Sequence, residues 1–267
     1  ELNKILIIFI FLLSSSASHA DEYGKSVQAF EVMKNVESNL KTGKDIVLNN
    51  LIIDGDLNIN KISPPQINGD IKIENSIING NVSLYGLNMS KSLSLYNTTI
   101  EQYLYVNNTR IKGILNLCNA KLNKSSFEYS KFESNAKFED TIFHGNGKFS
   151  NAIFMDCDFI NAKFLKDALF NNVSFRGLTK FENATFIVNA EFSKSRFGNM
   201  ALFNLANFSE AKFEYSTFDF DANFYNASFL KSAVFDNSVF NGDALFEKAN
   251  ISLASFEKAT FRAEAYF

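Results

Sequence analysis

A chain of 267 residues with 30 Phe, no Trp, two Pro, two Cys and two His is rich in apolar bulk and poor in reactive side chains, which disfavours most enzyme classes. At 46% hydrophobic and 21% charged it is globular in class rather than disordered. Its 26 Lys and Arg against 29 Asp and Glu leave a net charge of −3, which argues against a nucleic-acid-binding surface built on a basic stripe.

The chain opens on an export signal. Ile5 to Leu13 is an unbroken run of nine apolar residues, preceded by Lys4 and followed by the small polar stretch Ser14 to Ala20. As a helix such a run rises only about 14 Å, against about 30 Å of bilayer hydrocarbon. A basic start, a short apolar core and a small-residue cleavage site, Ser18-x-Ala20, give residues 1–20 the form of a secretory signal peptide. Cleavage would leave Asp21 first and a mature chain without a membrane span, bound for the periplasm, the cell surface or the medium. An uncleaved N-terminal membrane anchor is the alternative. The chain begins at Glu1 rather than Met, which reads as a missing start.

Residues 21–50 are a lead-in. Val27, Phe30, Met33, Val36 and Leu40 fall at helical spacing over residues 23–40, ahead of Gly43. One amphipathic helix with a glycine stop is predicted, placed to cap the end of the region beyond it.

From Ile53 onward, apolar residues recur in alternating steps of five and six. One series runs from Ile67, Ile78 and Met89 through Phe132 and Phe143 to Phe261; the other runs from Ile73, Leu84 and Leu95 through Phe127 and Phe138 to Phe267. Within each series the step is eleven residues, with single slips to ten, and 26 of the 30 Phe lie on the two series. Two residues before most of these positions stands a small side chain, as in Ala136, Ala152, Ala168, Ala190, Ala211 and Ala233. In extended backbone, residues two apart share a side, so small and large side chains both point inward. The remaining positions are rich in Asn, Asp, Ser and Gly, which suit tight corners. A chain that turns every five or six residues is a solenoid.

The unit, as in Ala136-Lys137-Phe138-Glu139-Asp140, resembles that of the pentapeptide-repeat proteins, A-[DN]-L/F-x-x, over residues 51–267. The resemblance implies an all-β solenoid, a right-handed quadrilateral β-helix with four faces per coil and Phe or Leu stacked inside. Two departures stand out. Alternate steps of six imply coils of about 22 residues with an extra residue at two of four corners. Residues 51–126 carry Ile, Leu and Val centres, as in Ile67-Asn68-Gly69-Asp70-Ile71-Lys72-Ile73, and residues 127–267 carry Phe. Both parts keep one register, so a single continuous solenoid is expected. Ile62-Ser63-Pro64-Pro65-Gln66 should form a corner loop. Forty faces from Ile53 make about ten coils, or a rod of roughly 48 Å.

Candidates for chemistry are few. Cys157 falls at an inward small position and Cys118 at an outward one, a surface thiol that could pair between molecules. Two coils, about 9.6 Å, separate them, too far for a disulfide. His144 sits in the corner His144-Gly145-Asn146-Gly147 with no ligand-spaced partner, so no metal or cofactor is expected. Glu214, Asp236 and Glu257 stack on one face and could hold a cation or form a catalytic pair, although Lys212 and Lys258 flank them and solvated charge is the plainer reading. Another face presents Ile142/His144, Lys163/Leu165, Thr185/Ile187, Asn207/Ser209, Ser228/Leu230 and Asn250/Ser252, with Lys163 its only fixed charge. Ile142, Leu165, Ile187 and Leu230 make that strip a candidate interaction face. N-x-S/T triplets at Asn81, Asn88, Asn97, Asn108, Asn172, Asn183, Asn207, Asn226 and Asn250 read as products of the repeat.

Three functions compete. The first is a non-enzymatic exported scaffold that binds a protein or itself. The second is a DNA-mimic regulator of an enzyme such as gyrase, implied by family members that resemble B-form DNA. From Ser125 onward, 18 acidic against 14 basic residues is a weak excess for that role. The third is a secreted β-helical polysaccharide-active enzyme, which would need loop insertions around acids that the chain lacks after residue 67. The sequence ends on a lattice position, Phe267, so further residues or end-to-end association are expected.

Overall fold

A computed structural model describes residues 24–61, 65–251 and 253–267. Residues 1–20, predicted as an export signal, and residues 62–64 of the predicted corner loop lie outside the described residues. No helix among the described residues is long and apolar enough to cross a membrane.

The lead-in is a strand followed by a helix. Lys25–Gln28 pairs in parallel with Leu51–Asp54, setting Val27 beside Ile53, and the Ser26 hydroxyl donates to Asp54 Oδ2 at 2.8 Å. The helix then runs Ala29–Lys41 rather than from residue 23. It buries Ala29, Val32, Val36 and Leu40, and leaves Phe30 58% exposed under the Lys34 ammonium. The inward stripe thus differs from the predicted one at Phe30, while Met33, also expected inside, is partly buried against the core. Docking of the preceding strand fixes where the helix starts and therefore its phase. Gly43, at φ 68°, ends the helix as predicted, with its N–H donating to the Leu40 carbonyl.

Beyond the helix the chain winds into a parallel solenoid whose rungs form three hydrogen-bonded sheets of fifteen, eleven and ten strands. Four faces succeed one another around each coil. The first face carries Ile78, Ile100, Leu122, Phe143, Phe164, Phe186, Phe208 and Phe229 in register. The second carries Leu84 to Phe256, the third Ile67 to Phe261 and the fourth Leu48 to Phe267. Counting from Ile53 leaves out the lead-in strands Lys25–Gln28 and Ile46–Asn49; with them the fourth face has eleven rungs.

Each inward Phe meets two kinds of neighbour. Along a face the rings lie parallel, as for Phe138 and Phe159 with centroids 4.4 Å apart, or Phe192 and Phe213 at 4.8 Å. Across the core they meet edge to face, as for Phe159 and Phe170 at 5.4 Å and 90°. Both arrangements suit the ring quadrupole and add about 0.5–1.5 kcal/mol per pair beyond area burial. Inward threonine hydroxyls are satisfied, with Thr98, Thr109 and Thr141 donating to the carbonyls of Ile73, Leu84 and Leu117 at 2.7–2.8 Å, whereas the buried hydroxyls of Ser125 and Ser238 have no partner among the described residues.

The corners are of two kinds. After the second and fourth faces the step is five residues, and the second residue past the centre has positive φ. The N–H one residue further donates back to the centre's carbonyl, as Ala120 does to Leu117. This is the type II pattern, which favours Gly or Asn at the left-handed position. Asn97, Asn108, Asn172, Asn183 and Asn226 all stand there, which accounts for many of the N-x-S/T triplets. After the first and third faces the step is normally six. Strands Thr99–Tyr105, Thr185–Glu191 and Ser228–Val234 run straight through the corner from first to second face. Where a neighbouring coil has one residue fewer, as at Lys121–Ser126 and Asn207–Lys212, the register shifts by a bulge.

Candidate functional site

The candidate interaction strip runs along the first face. Ile142 and Leu165 are half-buried, whereas Ile187 is 53% and Leu230 65% exposed. Ile142 stands in one row with Lys163, Thr185, Asn207 and Ser228, beside the row of Leu165, Ile187 and Leu230, and Ser209 is buried between the levels of Ile187 and Leu230. Leu253 on the adjoining corner is also exposed, and Lys231 pairs with Glu210 there at 3.4 Å. Sequence reading assigned faces but not corners, and so missed these flanking residues.

The acidic column on the second face does not converge. Asp236 Oδ1 accepts the Glu257 N–H at 2.8 Å and the Ser255 hydroxyl at 2.5 Å, so it ties one coil to the next. Glu257 pairs with Lys258 at 3.3 Å in the open, and Lys212 reaches Glu191 at 2.7 Å. No group of three metal-ligating side chains occurs among the described residues.

Acids at the corner from third to fourth face do similar structural work. Asp45, Asp70, Asp156, Asp221 and Asp243 each accept a backbone N–H of the next coil, from Asp70, Ser92, Leu178, Asp243 and Glu264 at 2.8–3.1 Å. A carboxylate bound this way caps a donor that the ladder leaves open. A cleft between the helix and the first coils, about 480 Å³ and lined in part by Glu37, Asp54 and Asp56, obeys the same rule. Asp54 is held by Ser26 and Asn79, and Asp56 by the Asn81 backbone and amide.

The fourth face carries a charged row. Asp158 is buried, accepting Lys180 Nζ at 3.2 Å and the Ile160 N–H at 3.1 Å. Burial and the facing Asp158 push the Glu139 carboxyl above its ordinary range, while Lys137 and Lys180 pull it down less. Cys118, expected at the surface, is buried on this face, and burial with the nearby Glu139 pushes its thiol up. Its short side chain is covered by longer neighbours a coil away, so the anticipated surface thiol is corrected to a buried one. Cys157 lies fully in the core with its thiol pushed up by burial, and both cysteines are free. His144 is exposed at its corner and lines two depressions.

Residues 159–204 and 224–267 match the family model described as pentapeptide repeats, in nine copies. Among solved structures the chain is similar to HetL, a pentapeptide repeat protein involved in heterocyst differentiation regulation from the cyanobacterium Nostoc sp., at 15% identity over 89% of this chain and 94% of that one, with a TM-score of 0.32. It is also similar to QnrB1, a plasmid-mediated fluoroquinolone resistance protein, at 13% identity over 81% and 91% of the two chains, with a TM-score of 0.30. No curated protein matches. Residues 159–204 and 224–267 therefore carry pentapeptide repeats, and the same register, with four inward-packed faces to each coil, continues from them back to Ile53.

Proposed function

We propose that the chain is an exported, non-enzymatic scaffold that docks a protein partner, or a second copy of itself, through the uncharged strip of the first face. The observation that carries this reading is the exposure of Ile187 and Leu230, 53% and 65%, on one flat wall of a rigid rod. Aligned aliphatic side chains release water when a flat partner covers them, and no fixed charge in their own rows opposes it. The signal-like residues 1–20 support export. Several acids are bound to backbone amides, as Asp156 and Asp221 are, or to lysines, as Asp158 and Glu191 are, an arrangement that serves the coil rather than polysaccharide cleavage. That same use of acids does not favour a DNA mimic, which requires an open acidic surface.

Ile187→Glu with Leu230→Glu tests the strip. The expected result is loss of the oligomer or partner seen by sizing with the unaltered chain, at unchanged circular dichroism. An identical assembly state in the double variant would sink the reading. Export is tested separately by cell fractionation: mature chain confined to the cytoplasm would remove it and favour the DNA mimic.

A further inference from the structure

The corner between the first and second faces holds a groove of about 550 Å³, lined by Tyr103, Asn123, Lys124, His144, Asn146, Lys148 and Lys166 around Gly145. A second depression of about 500 Å³ shares Asn123 and His144 and reaches Lys121 and Glu101. The groove has a cause in the sequence. Lys124 and Lys166 flank the coil that carries Gly145, where a Cβ would come within 2.2 Å of the Asn123 carbonyl oxygen. Only glycine fits, so the middle coil offers backbone where its neighbours offer lysine.

The crowding of unpaired lysines sets this corner apart. Lys131, Lys180, Lys212, Lys231 and Lys258 each pair with a carboxylate. Lys121, Lys124, Lys148, Lys163 and Lys166 make no ion pair among the described residues, although they crowd three consecutive coils. Of the acids on this corner, Asp167 is held by the Asn189 amide at 3.1 Å, and Glu101 lines the second depression rather than the groove. At one end stands Tyr103, its ring stacked on Tyr105 with centroids 3.9 Å apart and planes within 5°.

We propose that this groove binds an acidic oligosaccharide, of the uronic-acid class. Uncompensated ammonium groups select carboxylates. The fixed tyrosine plate suits the apolar face of a sugar ring. The carboxamides of Asn123 and Asn146 can both donate to and accept from hydroxyls. A groove of this volume lies in the range of small-ligand sites. No carboxylate lines it, so the saccharide is held and not cleaved.

Calorimetry on the full chain with tetragalacturonate tests the proposal, with its methyl ester, inorganic sulfate and oligothymidylate as comparisons. Tetragalacturonate should bind, weaken as salt rises, and lose most of its affinity on esterification. Lys124→Glu with Lys166→Glu should lower affinity at least about tenfold, and Tyr103→Ala about fivefold. Lys124→Gln with Lys166→Gln serves as the milder pair should charge reversal disturb folding. Absent binding, equal binding of the ester, unaltered affinity in the variants, or equal displacement by sulfate or oligothymidylate would each overturn it.

Discussion

Each inward Phe is held by rings on its own face and by others across the core, so its loss opens a void that its neighbours cannot close. Phe181 touches the rings of Phe159, Phe203, Phe170 and Phe192, stacked at 4.7 and 5.1 Å and edge-on at 5.3 Å. Phe181→Ala should cost about 3–5 kcal/mol in urea unfolding. Phe220 is 55% exposed and off the lattice, and Phe220→Ala should stay within about 0.5 kcal/mol. Glu139 makes a prediction about pH. Because its carboxyl is raised in the fold, the folded chain takes up that proton more readily than the unfolded one. The resulting stability is complete below the ordinary glutamate value and is lost as pH climbs through the raised one. Glu139→Gln should therefore gain stability relative to the unaltered chain over the range above the ordinary glutamate value of about 4.3. Parallel unfolding midpoints for the two chains across that range would count against it. Single residues also mark where the sequence was readable. Phe159 or Phe203 could be assigned to the core from spacing alone, since alternation fixes the side of every residue on a face. Cys118 could not, because its cover comes from residues a whole coil away.

At the scale of elements, the helix Ala29–Lys41 closes one end of the solenoid by packing on Lys25–Gln28, Ile46–Asn49 and Leu57–Asn58. Its existence and glycine stop were legible, but its buried stripe was not. That phase depends on the pairing of Lys25–Gln28 with Leu51–Asp54, a contact spanning 26 residues that no local periodicity encodes. Val36→Asp places a carboxylate on the buried stripe and should unseat the helix. Sedimentation is then expected to show concentration-dependent association through the uncovered first coils. A variant as monodisperse as the unaltered chain would show that the helix is dispensable as a cover. The corner groove escaped the sequence for a related reason. Lys124, Lys148 and Lys166 are about 20 residues apart in the chain, and only the corner geometry brings them together.

The molecule as a whole divides its labour between inside and outside. The interior repeats one packing solution, so it carries stability and little identity; the four walls are free to vary and hold the features on which the proposed functions rest. The exposed pair Ile187 and Leu230 and the lysine groove are neighbours on that exterior, one spanning the first face and the other its corner. Loss of strip-mediated assembly with saccharide binding retained, or the reverse, would show two separable sites.

The edge between the first and second faces has a mechanical consequence. There the strands Thr99–Tyr105, Thr185–Glu191 and Ser228–Val234 pass around the corner without a turn, and hydrogen bonds to the coils above and below continue on both sides of it. The two corners after the second and fourth faces are built from turns with a left-handed residue. Between Thr99–Tyr105 and Thr185–Glu191, at the coils of Phe143 and Phe164, the strands stop at Ile142–Phe143 and Lys163–Phe164 and restart at Gly147–Lys148 and Ala168–Leu169. The rod is therefore a beam braced along one edge in two stretches with a gap between them. It should bend most readily at that gap, where the lysine groove lies, so a ligand seated there would bridge the joint and stiffen it.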